Sequence, residues 1–368
     1  MLKRKIGWGQ VILLLLCCRA FSLMTFVPML SDSYAVSTQM TAVSIVCALQ
    51  LVLCLPLLIL SMRFPEKSAA EIAESKNGFF GFLVVAAFLV FFIAEAADSA
   101  LAFQAFLTDR FFKSVNPYIW LGIFLIICFY CGVLGIEGLA RSAAAVFIIL
   151  AGMIVYMAVT SRNDFDFVNI YAAGDSGVLF SAVVDELAKN GEIVALAFLC
   201  KYVPKKFYKA VFGLQIGKII MIETVLLLIQ GVLGDFAALT DYPFLAVGAY
   251  AGVNLLQRAD AAYLVVWTMT AVLKIALFIN LSAGLLGTIF PKMPCRAAAC
   301  TIIVYAVCVP MLFFGTTLSA AYGAMPFAAA QVILLFCVPL IELIFAGDKG
   351  QVRRKLSQNA GNAGDLNA

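Results

Sequence analysis

Histidine is absent from this 368-residue sequence, and charged residues make up only 12% of it. Without histidine the usual general base for hydrolytic chemistry is missing, and so is the commonest nitrogen ligand for zinc or haem. The eleven cysteines do not replace it. They are scattered through apolar runs, as Cys47, Cys54, Cys128, Cys200, Cys308 and Cys337 show, and read as small packing residues. No catalytic residue, metal site, cofactor or nucleic-acid partner is therefore expected. What the chain has in excess is hydrocarbon: 64% hydrophobic residues and a mean hydropathy of +1.03. A soluble domain is about half apolar and about a quarter charged. No water-surrounded core could hide so much Leu, Ile, Val and Phe, so the solvent is lipid.

A membrane-spanning helix needs roughly 17–25 mostly apolar residues. Ten windows qualify, at 8–30, 39–62, 79–108, 117–136, 142–160, 178–202, 206–233, 258–289, 297–315 and 322–346. The fold class is thus an all-α integral membrane protein, read as one domain over 1–346. The first span is too long for a signal-peptide core and is expected to be retained. The inner loop 63–77 reads as a short interfacial helix, and 237–256 as a re-entrant or surface helix. The polar tail, 347–368, reads as disordered and cytoplasmic. Loop charges set the orientation. With the N-terminus inside, seventeen Lys and Arg fall on the inner side, four on the outer side and four within spans. Both termini are expected in the cytoplasm.

Ionisable groups at bilayer depth cost roughly 2.5–3.5 kcal/mol each on insertion scales, so each needs a partner or a task. Arg19 sits halfway along the first span, either paired with an acid of another helix or anchoring an anion. Glu95 and Asp98 share one face of the third span, as a structural pairing or a polar pathway. The sixth span holds the densest cluster, Asp185 to Glu192. Its Asn190-Gly191 is a poor helix centre and predicts a break, which is tolerated at membrane depth only where it lines a cavity. Lys274 in the eighth span has no neutralising neighbour in sequence, so its partner lies on another helix; Asn280 and Ser282 follow it. Lys218 and Glu223 in the seventh span read as bundle-facing structure.

Four stretches carry a family resemblance. They are Arg258-Ala259-Asp260-Ala261-Ala262-Tyr263-Leu264-Val265-Val266-Trp267 running on to Phe278, Gly135-Ile136-Glu137-Gly138-Leu139-Ala140-Arg141, Gly191-Glu192 leading to Lys201-Tyr202-Val203-Pro204, and Tyr242-Pro243. In order and spacing the chain resembles, over about 3–346, the endospore germination permeases (GerAB-type), the B subunits of nutrient germinant receptors. That family is similar to amino-acid/polyamine/organocation transporters, with a LeuT-like arrangement of ten helices in two inverted five-helix repeats. The resemblance implies that the first and sixth helices are broken at the midplane, where a small nutrient binds, often an amino acid. It places Cys18, Arg19 and Ser22 opposite Lys189, Asn190, Gly191 and Glu192 as the substrate-binding set. A charge couple or ion path would use Glu95, Asp98, Lys274 and Asn280. The implied partners are a membrane A subunit and a lipoprotein C subunit in the spore inner membrane. A proton-coupled amino-acid transporter of the same fold is the alternative.

Overall fold

The computed structural model describes residues 6–25, 36–65, 67–74, 78–111, 115–171, 178–203, 206–251 and 259–345. The basic start at 3–5, Arg258 and the tail 347–368 lie outside the described residues. Every regular element among the described residues is helical. Eight helices are long and apolar enough to cross a bilayer. They include α1 (Trp8–Thr25), α5 (Gly78–Arg110), α7 (Gly135–Thr160), α10 (Phe207–Leu233), α12 (Ala259–Ile289) and α13 (Arg296–Phe314). α6 (Pro117–Val133) is apolar but shorter, at 17 residues. It starts where Asn116 accepts a hydrogen bond from the Tyr118 N–H at 3.0 Å, with Pro117 pre-set in the first turn.

Prolines and polar loops explain the interruptions. The second span is α2 (Val36–Leu53) and α3 (Leu55–Arg63), joined by a turn at Cys54 because Pro56 lacks the N–H that an unbroken helix would use. The short α4 (Ala69–Glu74) opens with a capping box, in which the Ser68 N–H donates to Glu71 Oε2 at 3.0 Å and the Glu71 N–H to Ser68 Oγ at 3.4 Å. Outside the spans, 234–239 forms a 3₁₀ turn before α11 (Pro243–Ala251). The last span runs Ala324–Phe345, as α15 (Ala324–Val332), a π-helical turn at Ile333–Cys337 and a final helical stretch.

The sixth window departs most from helix. α8 (Leu179–Ala188) ends at a turn on Lys189 and Asn190. A 3₁₀ segment, Gly191–Ala195, follows, then the single-turn α9 (Leu196–Leu199) and a further 3₁₀ turn. The first helix corrects an expectation. α1 runs unbroken from Trp8 to Thr25, so Cys18–Ser22 is not an interruption. Arg19 and Ser22 are polar, yet each meets its partner sideways on another helix, Arg19 Nη2 at Glu186 and Ser22 at Lys274, leaving the backbone ladder intact.

α12 is the axis of the molecule, packed against α1, α5, α6, α7, α11 and α13 and buried from Ile275 to Ile279 without a gap. Trp267 stacks on Phe103 at 4.7 Å, meets a tilted Phe106 ring at 4.3 Å and donates to Thr25 Oγ1 at 2.7 Å. The Tyr263 hydroxyl donates to the Met24 carbonyl at 2.8 Å. Together these fix the end of α1 on α12. The outer sides of the bundle are apolar too, with Ile148, Phe313 and Val90 more than two-thirds exposed, the face a lipid solvent requires.

Candidate functional site

The break at Lys189–Asn190 sits between two groups of charged side chains. On one side is a cavity of about 370 Å³. α1 contributes Ser22, α5 contributes Glu95 and Asp98, α8 and the turn after it contribute Asp185 and Lys189, and α12 contributes Lys274. The Lys274 ammonium donates to Ser22 Oγ at 2.7 Å, lies 3.8 Å from Glu95 Oε2, and sits over the Phe21 ring at 5.9 Å. Asp98 Oδ1 accepts the Ser319 N–H at 2.8 Å, capping α14 (Leu318–Tyr322) across the cavity. Lys189 lines the cavity and makes no side-chain hydrogen bond among the described residues, with Asp185 and Glu186 within electrostatic reach.

Behind the break is a second, fully buried network. Arg19 Nη2 pairs with Glu186 Oε1 at 2.6 Å. The same oxygen accepts from Asn190 Nδ2 at 2.9 Å, and Asn190 Oδ1 accepts from the Lys218 ammonium at 2.9 Å. Lys218 donates onward to Gln50 on α2. Five residues from four elements are thus linked through the turn that ends α8. Gln331 of α15 donates to the Leu187 and Ala188 carbonyls at 2.8 and 3.1 Å, replacing the helical donors that the break removes.

Gly191 makes room for Glu95. A Cβ there would lie 2.0 Å from Glu95 Oε1, so any larger residue would push that carboxylate away from the opened backbone. The neighbouring Glu192 is wholly buried, and neither carboxylate oxygen has a hydrogen-bond partner among the described residues. It lies within electrostatic reach of Arg19 and Lys218.

The expected substrate-binding set is therefore divided. Ser22 and Lys189 line the cavity; Cys18, Arg19, Asn190, Gly191 and Glu192 lie behind its wall. Of the expected charge couple, Glu95, Asp98 and Lys274 share the cavity. Asn280 does not: it donates to the Gly132 carbonyl at 2.8 Å and lines a separate pocket of about 90 Å³ with Glu71 and Lys201. Sequence reasoning passed over Asp185 as a cavity residue, Glu186 as the partner of Arg19, and the whole of α14. Only the last had a local signal, the Thr317 side chain that accepts the Ala320 N–H as an N-cap.

At the end of the broken segment, Lys201 reaches Glu71 at 2.8 Å. Partial burial opposes ionisation of Glu71, but the Lys201 ammonium and the Ser68 N–H outweigh it and hold its carboxyl below the usual range. Cys128 and Cys131 have C-x-x-C spacing but are free thiols on α6. No group of three or more His, Cys, Asp or Glu placed to hold a metal ion occurs among the described residues.

No curated protein matches the chain. The family described as spore germination protein matches residues 11–319, a stretch that takes in every helix from within α1 to the start of α14. A match over that much of the sequence, on a bundle of apolar helices interrupted around a charged cavity, establishes that the chain belongs to the spore germination permease family.

Proposed function

We propose that this protein is the B-type subunit of a nutrient germinant receptor and binds a small zwitterion, an amino acid, in the cavity beside the break. The observation that carries this reading is the charge arrangement around the 370 Å³ space: Lys189 and Lys274 face Glu95, Asp98 and Asp185. That volume lies within the ordinary range for small-molecule sites, about 300–1,000 Å³. Lys189, whose side chain makes no hydrogen bond among the described residues, meets the solute carboxylate, and the carboxylates of α5 and α8 meet the amine. Arg19 is not available for that task, because Glu186 and burial occupy it. The Lys274–Glu95 couple would change partners when solute enters, passing the event to the break through the contact of Glu95 with Gly191. The rest of the proposal follows the family: ten helices in two inverted repeats, both termini cytoplasmic, residence in the spore inner membrane, and work beside an A subunit and a lipoprotein C subunit.

Glu95→Gln and Lys274→Ala test the proposal. Each should abolish nutrient-triggered germination while the protein still inserts at normal levels; normal germination by either variant refutes it. The Lys274–Glu95 pair is also what a proton-coupled transporter would use, as a titratable couple facing the solute. Vesicles carrying the purified protein separate the two readings. Accumulation of labelled amino acid driven by a proton gradient favours transport, and binding without accumulation favours sensing.

A further inference from the structure

The cavity wall is polar or small on almost every side, with Phe327 as its single aromatic side chain among the described residues. Phe327 also lines a second space, an apolar groove of about 420 Å³ between α5 and the last two helices. The two spaces are back to back. The partition between them is thin: the five residues of α14 and the first turn of α15. Consecutive residues face opposite ways, Leu318 into the groove and Ser319 into the polar cavity. On the cavity side the partition offers only Ala320, Gly323 and Ala324 beyond its polar tip, none with bulk. Among the described residues, Phe327 is the one bulky apolar side chain that lines the cavity.

The partition is held rather than loose. Asp98 accepts the Ser319 N–H at 2.8 Å, and Thr317 accepts the Ala320 N–H at 3.2 Å. Glycines with left-handed φ of +64° and +77°, Gly315 and Gly323, turn the chain at either end of α14. The Phe327 ring is therefore presented from a fixed backbone, which is what a size filter requires.

We infer that Phe327 determines which solutes the cavity accepts, by ending it where a solute's apolar side chain would point. The inference rests on reading the cavity as the solute site. With the charged groups of the solute held at Lys189, Glu95 and Lys274, a small side chain stops short of the ring and a large one collides with it. Truncating the ring joins the polar cavity to the apolar groove, giving a large apolar side chain somewhere to go. Rejection on size in such a pocket arises from steric collision and disappears with the colliding group.

The test measures binding of glycine, alanine, leucine and phenylalanine to the purified full-length protein by calorimetry. The variants are Phe327→Ala, Phe327→Leu and Val90→Ala, the last altering only the groove. Affinity for phenylalanine relative to alanine should rise at least tenfold in Phe327→Ala, rise less in Phe327→Leu, and stay within twofold of wild type in Val90→Ala. Should Phe327→Ala fail to fold, the Phe327→Leu ratio decides. A wild-type protein that binds amino acids but whose ratio is unmoved by either Phe327 variant overturns the filter and leaves the solute site standing. An equal shift in Val90→Ala also overturns it. Absence of binding to any of the four overturns the solute-site reading and the filter together.

Discussion

Arg19 offers the sharpest separation between a binding residue and a structural one, and Arg19→Met is the perturbation. Its guanidinium is 1% exposed and 2.6 Å from Glu186, itself 4% exposed. Removing one partner of such a pair leaves the other charge buried and costs about 3–5 kcal/mol. The loss falls at the upper end here, because among the described residues Glu186 would keep only the Asn190 amide as a side-chain hydrogen-bond donor. Removing both charges, as Arg19→Met with Glu186→Leu, should recover most of it, since apolar replacements of a buried pair are often nearly neutral. The double-mutant cycle should therefore show a coupling of at least about 3 kcal/mol, at or beyond the top of the usual range for residues in direct contact. Unfolding of the purified protein by SDS titration in mixed micelles measures it, with amino-acid binding measured in parallel. An Arg19→Met protein that loses less than about 1 kcal/mol yet no longer binds solute would refute the reasoning. Arg19 would then meet the solute and Glu186 would be incidental.

Three further outcomes follow from particular contacts. Gly191→Val should destabilise the protein by about 1–3 kcal/mol, because its side chain would push the buried Glu95 carboxylate out of place, and wild-type stability in SDS titration would contradict this. Gln331→Leu should cost about 1–3 kcal/mol, since the Ala188 carbonyl loses its side-chain donor and the Leu187 carbonyl keeps only backbone N–H donors; hydrogen exchange at residues 187–193 should speed up in this variant and not in Ala329→Leu. The Glu71–Lys201 pair should matter only above the point where Glu71 takes up its proton. A depressed folded pKa means its stabilisation is present above the ordinary 4.5 and is lost as pH falls through the folded value. Both side chains are partly exposed, so the contribution is roughly 0.2–1 kcal/mol. The stability difference between wild type and Lys201→Ala, measured at pH 6.5 and again at pH 3, should shrink towards zero at the lower value.

What could be read from the sequence was whatever depended on neighbours along the chain. The break at Lys189–Asn190 was legible because Asn-Gly and a run of charges are local obstacles to helix, and the helix does end there. The short helix after Arg63 was legible for the same reason, its Ser68 and Glu71 standing at capping-box spacing. The first helix misled because a charge in an apolar run looks like an interruption. Arg19 is instead paired laterally, through Nη2, with a residue 167 positions away, and the ladder never opens. Asn280 misled in the same direction: its place on α12 near Lys274 suggested a shared path, but helical rotation turns it towards Gly132. α14 was hidden because six residues between two apolar windows carry too little pattern to distinguish a loop from a cavity wall. The division of charges into a cavity group and a buried group is a property of packing, and only the packed helices display it.

The central claim is that a zwitterion occupies the cavity with its carboxylate on Lys189. A thermal-shift screen of the purified protein against the twenty amino acids tests it most directly, run in parallel on wild type, Lys189→Met and Lys189→Arg. The account predicts that at least one amino acid stabilises the wild type, that Lys189→Met loses that stabilisation, and that Lys189→Arg retains part of it. An undiminished shift in Lys189→Met, or no shift with any amino acid in the wild type, would contradict it.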